Sequence, residues 1–136
     1  MTHLRRVAPF RIYSIGQLCR EFGCTTRALR FYEDQGLLFP RRHQGQRVYS
    51  YKDRARLQLV VRGRAVGLTL AQIREILDTY EAGGPEAQTA LALRLFKERL
   101  EALEAERRSL DQARDTLLAA CARLSSGADD EASAAA

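Results

Sequence analysis

The sequence predicts a mostly α-helical chain: four short helices and a small β-hairpin in the first 82 residues, then one long helix. Three observations predict it. Between Ser14 and Tyr49, two short apolar stripes at helical spacing are separated by Gly23, and a cationic segment with a glycine tip follows them. Between Ser50 and Tyr80, two more helix-period stretches each begin just after a Ser or Thr. From Glu86 to Leu124 there is no Gly or Pro, and an apolar residue recurs every seven positions.

Residues 1–11 lack periodicity and read as a basic lead-in, with Val7, Pro9, Phe10, Ile12 and Tyr13 able to add one short strand against the hairpin. Ser14 suits a helix N-cap, because its hydroxyl can accept from an N–H that has no partner inside the first turn. Ile15, Leu18, Cys19 and Phe22 follow as one apolar stripe. Gly23 ends this helix in the left-handed conformation that glycine adopts without steric cost. Thr25 or Thr26 caps a second helix, buried through Leu29 with Tyr32 or Phe31 and running toward Gly36. Two helices joined by a short Gly-containing turn make a helix-turn-helix. Arg27 and Arg30 stand near the start of its second helix, where such helices meet base edges in the major groove. Leu37 to Tyr49, with Pro40, Arg41, Arg42, His43, a Gln44-Gly45 tip and Arg47, reads as a wing of two short strands.

Ser50 caps a third helix, with Asp53 completing a capping box. Its buried side is Leu57, Val60, Val61 and Val66, and it ends at Gly67. Thr69 caps a fourth, with Leu70, Ile73, Ile76, Leu77 and Tyr80 inward. The expected division is therefore a winged helix-turn-helix domain over 1–82, a Gly-Gly-Pro linker at 83–85, a dimerisation helix over 86–124 and a disordered acidic tail over 125–136. The long helix carries Phe96, Leu103, Leu110, Leu117 and Leu124 on one seam position, and Leu93, Leu100, Arg107, Arg114 and Cys121 on the other. A helix of this length spans about 58 Å, too long a stripe for so small a domain to bury, so it calls for a partner.

Charge sharpens the picture. Residues 1–80 hold 15 Lys+Arg against 6 Asp+Glu, and residues 81–136 hold 7 against 11. A basic front half and an acidic back half point to a polyanion bound by the front half alone. Arginine dominates the basic set, and it is the side chain suited to bidentate phosphate and guanine contacts. No apolar run approaches the roughly 18 residues of a membrane span. No apolar stretch backs the N-terminal arginines as a secretory signal would. The expected location is the cytoplasm.

Tyr13-Ser14-Ile15, the run Thr26-Arg27-Ala28-Leu29-Arg30-Phe31-Tyr32-Glu33, Gly36-Leu37-Leu38 and Arg47-Val48-Tyr49 together resemble the winged-helix regulators of the MerR family. FYEDQGLL, GQRVYS and DRARLQLVVRG look most like its LiuR-type branch, which governs branched-chain amino-acid and acyl-CoA catabolism genes. The resemblance implies double-stranded promoter DNA as a partner, RNA polymerase at the promoter, and self-association through an antiparallel coiled coil. It implies DNA contacts by Tyr13, Ser14, Thr25, Thr26, Arg27, Arg30, Tyr32, Arg41, Arg42, His43, Arg47 and Tyr49, with the tyrosine hydroxyls on phosphates and the wing on the backbone. Two readings stay open: the Tyr32 ring packs in the core, and Arg30 pairs with Glu33 or Asp34. The resemblance also implies a small-molecule effector. An acyl-CoA-type catabolite would sit near Tyr80, Leu91, Leu95 and Phe96, with Arg94 or Arg99 for its phosphates.

The cysteines do not complete a metal site. Cys19 lies on an apolar stripe, Cys24 has no spacing partner to build a tetrahedral set, and Cys121 stands alone. No cofactor is expected, and no Gly-rich phosphate loop or Ser/His/Asp set suggests an enzyme. Two alternatives remain: an architectural DNA binder without effector, and a coiled-coil module that docks on an acidic protein. Sequence preference and a steep salt dependence would distinguish DNA regulation from docking.

Overall fold

The computed structural model describes residues 11–134, so the part of the expected strand assigned to Val7, Pro9 and Phe10 lies outside the described residues. The elements run β1 (Ile12–Ser14), α1 (Ile15–Phe22), α2 (Thr26–Asp34), β2 (Arg41–His43), β3 (Gln46–Ser50), α3 (Tyr51–Ala65) and α4 (Leu70–Ala134). The chain is mostly helical, with a helix-turn-helix, a three-stranded antiparallel sheet in the order β1-β3-β2, and a long C-terminal helix. Tyr13 pairs with Tyr49 on one side of β3, and Arg42 with Arg47 on the other.

The helix starts follow from side-chain capping. Ser14 Oγ accepts from Gln17 N at 3.1 Å while Gln17 Oε1 accepts from Ser14 N at 2.8 Å. Thr25, not Thr26, caps α2 by accepting from Ala28 N. Ser50 and Asp53 form the capping box of α3, and Thr69 and Gln72 exchange the same pair of bonds at the start of α4. Gly23 closes α1 in the left-handed region at φ 65°. At the hairpin tip both Gln44 (φ 49°) and Gly45 (φ 77°) are left-handed, as a two-residue turn matched to strand twist requires.

One core lies under the helix-turn-helix: Leu18, Leu29, Leu38, Tyr49 and Leu57, with Tyr13, Cys19, Cys24, Tyr32 and Val61 packed against it. Leu37, Val60, Leu68, Ile73 and Ile76 are likewise buried. Gly63 lets α3 approach α4, because a Cβ there would lie 3.0 Å from Ile73.

One open alternative is decided and three expectations are corrected. Phe31 is exposed while Tyr32 packs toward the core, because α2 turns Leu29 and Tyr32 to one side. Val66 is exposed: it is the C-cap of α3, already outside helical geometry, and Leu68 fills the buried place instead. Tyr80 is 44% exposed, four residues before the helix breaks. Finally, the helix runs on to Ala134 through a stretch expected to lack structure. Extending a formed helix costs little per residue, and the alanines and Glu131 favour it, against Gly127 and the serines and aspartates of the stretch.

Within α4, Gly84 departs from helical geometry (φ 79°, ψ −169°) ahead of Pro85. The described residues fall into two compact units that part between Leu93 and Arg94, later than the Gly-Gly-Pro break. Gln88 Nε2 donates to Ile76 O at 3.4 Å, which ties the turn after the break to the helix before it. In the second unit the seam residues Leu100, Leu103, Leu110, Leu117 and Leu124 are exposed, Leu110 by 70%. Among the described residues no helix is long and apolar enough to cross a membrane.

Candidate nucleic-acid interface

The start of α2 presents exposed Thr26, Arg27 and Arg30, held in place by the Thr25 cap. The wing presents exposed Arg41, Arg42 and His43, and Arg42 braces its own turn by donating to Gly45 O at 3.1 Å. An ion pair joins the two parts: Arg47 Nε on β3 donates to Glu33 Oε2 on α2 at 2.8 Å. Thus Glu33 engages Arg47, and Arg30 remains exposed at the helix surface. Arg47 is half-buried, so this pair fixes the wing against α2 and leaves less of the guanidinium for an outside anion.

The anchors of the wing were not singled out from sequence as such. Asp53, only 3% exposed, accepts from Phe39 N at 2.9 Å and from Ser50 N at 3.2 Å. One carboxylate therefore holds the chain entering β2 and the chain leaving β3. Arg56, also buried, donates from Nε to Leu37 O at 2.7 Å and lies 5.1 Å from the centre of the Phe39 ring. The capping-box signal located Asp53 but gave no reason to reach back to Phe39, because that contact crosses 14 residues.

Tyr13 on β1 is half-buried, with the guanidinium of Arg11 at 5.5 Å and that of Arg54 at 5.9 Å from its ring centre. Arg54 also forms an ion pair with Glu21, and its bond to the Glu21 carboxylate holds that group below the usual carboxylate range. Arg54 thus spans from Tyr13, before α1, to Glu21 and Phe22 at its end, and its charge is met by Glu21.

Three expected DNA contacts sit differently. Ser14 and Thr25 both commit their hydroxyl oxygens to helix caps, although each residue is exposed. Tyr49 is fully buried in the core, and its hydroxyl has no hydrogen-bond partner among the described residues. Burial first, then the nearby Glu33 carboxylate, push it up to about 12. Tyr49 on β3, opposite Tyr13 of β1, is thus placed as a core residue rather than as a phosphate ligand, its ring lying among Leu18, Leu29, Leu38 and Leu57.

The residues expected around an effector divide between the two units: Tyr80 and Leu91 belong to the first, Leu95 and Phe96 to the second. A shallow hollow of about 500 Å³ in the first unit is lined instead by Ala71, Arg74, Glu75, Asp78, Thr79 and Ala82.

Residues 13–80 match the family model described as MerR HTH family regulatory protein, and residues 54–120 match the one described as MerR, DNA binding. The chain is 36% identical over 103 residues to the transcriptional activator TipA of Streptomyces coelicolor, covering 74% of this chain and 40% of TipA. It is 31% identical to the transcriptional regulator CueR of Salmonella typhimurium, covering 78% of this chain and 77% of that one. Its structure resembles that of a MerR family transcriptional regulator from Bacillus cereus, at a TM-score of 0.62 and 26% identity, over 76% of this chain and 75% of the other.

Proposed function

This chain belongs to the MerR family of helix-turn-helix regulators, and from that premise we propose that it is a homodimeric, promoter-binding transcription regulator. The observation that carries the reading is the exposed cationic start of a capped helix, Thr26, Arg27 and Arg30, tied through Glu33 and Arg47 to a wing that exposes Arg41, Arg42 and His43. Helix-turn-helix proteins lay such a helix in the major groove and read base edges from its N-terminal residues. Arg27 and Arg30 take that role; Arg41, Arg42 and His43 take the flanking phosphates, with Tyr13 and Tyr32 beside them. Arg47 serves first as the strut between wing and helix.

The bare seam of the long helix supports pairing with a second copy, since a row of exposed leucines this long is stable only when covered. In this reading residues 1–82 bind DNA and 86–124 dimerise. The site is then an inverted repeat in promoter DNA in the cytoplasm. The dimer acts there by distorting the spacer that RNA polymerase must read. Bending a site of this size costs roughly 1–6 kcal/mol, so a modest effector-driven shift is enough to change transcription. The finer assignment is a LiuR-type regulator that responds to an acyl-CoA-type catabolite; it rests on the sequence resemblance.

The test is a footprint of the purified protein on its own upstream DNA at near-physiological salt. A protected inverted repeat is expected. Even or absent protection would return the chain to architectural binding or to protein docking. Titration of short-chain acyl-CoA thioesters into the protein, read by heat, tests the effector separately.

A further inference from the structure

The joint of the helix-turn-helix holds a pair of thiols that the DNA-binding reading does not use. Cys19 is on the last turn but one of α1, and Cys24 is the residue before the Thr25 cap of α2. Gly23 turns left-handed between them, and Cys24 N donates to Cys19 O at 3.1 Å. That backbone bond closes a six-residue ring in which the side chains of the first and last residues meet. Both side chains pack against the same core cluster, both are partly exposed, and both are free thiols. Among the described residues no third Cys, His, Asp or Glu joins them in a metal-binding group.

We infer that Cys19 and Cys24 form a dithiol that closes to an intramolecular disulfide with a low-molecular-weight disulfide such as oxidised glutathione, and that closure weakens operator binding. One thiolate attacks the small disulfide and expels a small thiolate. The second cysteine then attacks the protein sulfur of the mixed disulfide and expels the other. Two protein S–H bonds are lost, one protein S–S bond forms, and one small disulfide is reduced to two thiols that take up the two protons. The two sulfurs must close to about 2.05 Å for the bond. That draws in Cys24, and with it the neighbouring Thr25 that caps the helix carrying Arg27. Burial, and then the Cys19 thiol beside it, raise Cys24 above the ordinary thiol range, so closure is slow at neutral pH and quickens as pH rises.

The regulatory half of the inference rests on the DNA-binding reading, so the test reads chemistry and DNA separately. The Cys121→Ser variant, which leaves only this pair, is incubated with oxidised glutathione and followed by free-thiol titration and intact mass. Loss of both thiols, a mass two units lower and unchanged monomer mobility on a denaturing gel are expected. Stable glutathione adducts or disulfide-linked chains would overturn the pairing. The same samples are bound to the upstream DNA: a loss of at least tenfold in affinity, restored by reductant and absent in a Cys24→Ser version, is expected. A closed disulfide with undiminished affinity would overturn the switch. If the reduced protein itself fails to bind, the functional reading is what fails, and the thiol result still stands.

Discussion

Replacing Asp53 by alanine tests whether one buried carboxylate sets the wing. Its oxygens serve Phe39 N at 2.9 Å, Ser50 N at 3.2 Å and Ser50 Oγ at 3.2 Å. Alanine leaves two backbone N–H groups without acceptors where water has little access. Each such orphan costs about 1–3 kcal/mol, and partial burial puts both toward the low end. A loss of about 2–4 kcal/mol is therefore expected, with the capping-box share inside it. Urea unfolding at fixed protein concentration reads this. At an m-value of about 2 kcal/mol/M the midpoint falls by roughly 1–2 M with m unchanged. Asp53→Asn keeps an acceptor for Phe39 but sets an amide donor against Ser50 N–H, so it should lose about half as much. Operator affinity should fall with the alanine variant even where it is fully folded, because β2 and β3 lose their common anchor. A midpoint within about 0.2 M of the parent for Asp53→Ala would refute the reasoning, since it would mean these N–H groups find water or another acceptor at no cost.

Four further outcomes are expected. Arg27→Ala should weaken operator binding by about 1–3 kcal/mol at fixed salt without moving the melting temperature, as an exposed residue at the start of α2 implies; equal binding in a gel-shift titration would remove Arg27 from the interface. Tyr49→Phe should leave operator affinity unchanged and leave stability unchanged or higher by up to about 1 kcal/mol, because it deletes a buried hydroxyl that has no partner among the described residues. In the folded chain Tyr49 titrates at about 12 and in the unfolded chain near 10, so its neutral form favours folding below pH 10 and that advantage fades as pH rises toward 12. Urea midpoints measured across that window should fall by an amount worth about 2–3 kcal/mol, and Tyr49→Phe should flatten the decline. Leu110→Glu should shift the chain toward monomer in sedimentation, since that leucine is 70% exposed in the single chain and lies mid-seam.

The helix starts and the left-handed Gly23 were legible because capping and glycine geometry are local: the residues that decide them lie within four positions of one another. So was the tip of the wing, and so was the apolar seam of the long helix, which repeats over five heptads. What sequence did not disclose depends on side chains that meet across long separations. Arg47 looked like a free cation on a wing until Glu33, 14 residues away, turned out to hold it. Arg54 was not singled out at all, and its partner Glu21 lies 33 residues off. Tyr49 carried the same pattern as an exposed strand residue, and only the register of β3 against β1 turned it inward. Val66 was assigned to the buried side although it lies half a turn away from Leu57 on a helical wheel, and the helix had in any case ended one residue earlier. Cys19 and Cys24 were each legible alone, as a core thiol and a turn thiol; the backbone bond over Gly23 that brings them together is a property of the cap.

Gly84 and Pro85 offer a test of why α4 breaks where it does. At φ 79° and ψ −169°, Gly84 occupies a region that side chains other than glycine's enter at a cost of order 1–3 kcal/mol. Alanine there could escape the strain only by becoming helical, yet the proline that follows disfavours the helical region for the residue before it. Its ring also crowds the carbonyl four residues back and removes an N–H from the ladder. Both routes are obstructed, so Gly84→Ala should lose about 1–3 kcal/mol in urea unfolding. Pro85→Ala alone should cost little, since the break persists through Gly84 and the missing N–H was no loss at the start of the next helical segment. The double variant removes both obstacles, and two alanines favour a continuous helix, so it should recover most of what Gly84→Ala loses. A double variant as unstable as the sum of its singles would show that the break is held by packing around it, such as the Gln88 bond to Ile76 O, and not by the conformational limits of these two residues.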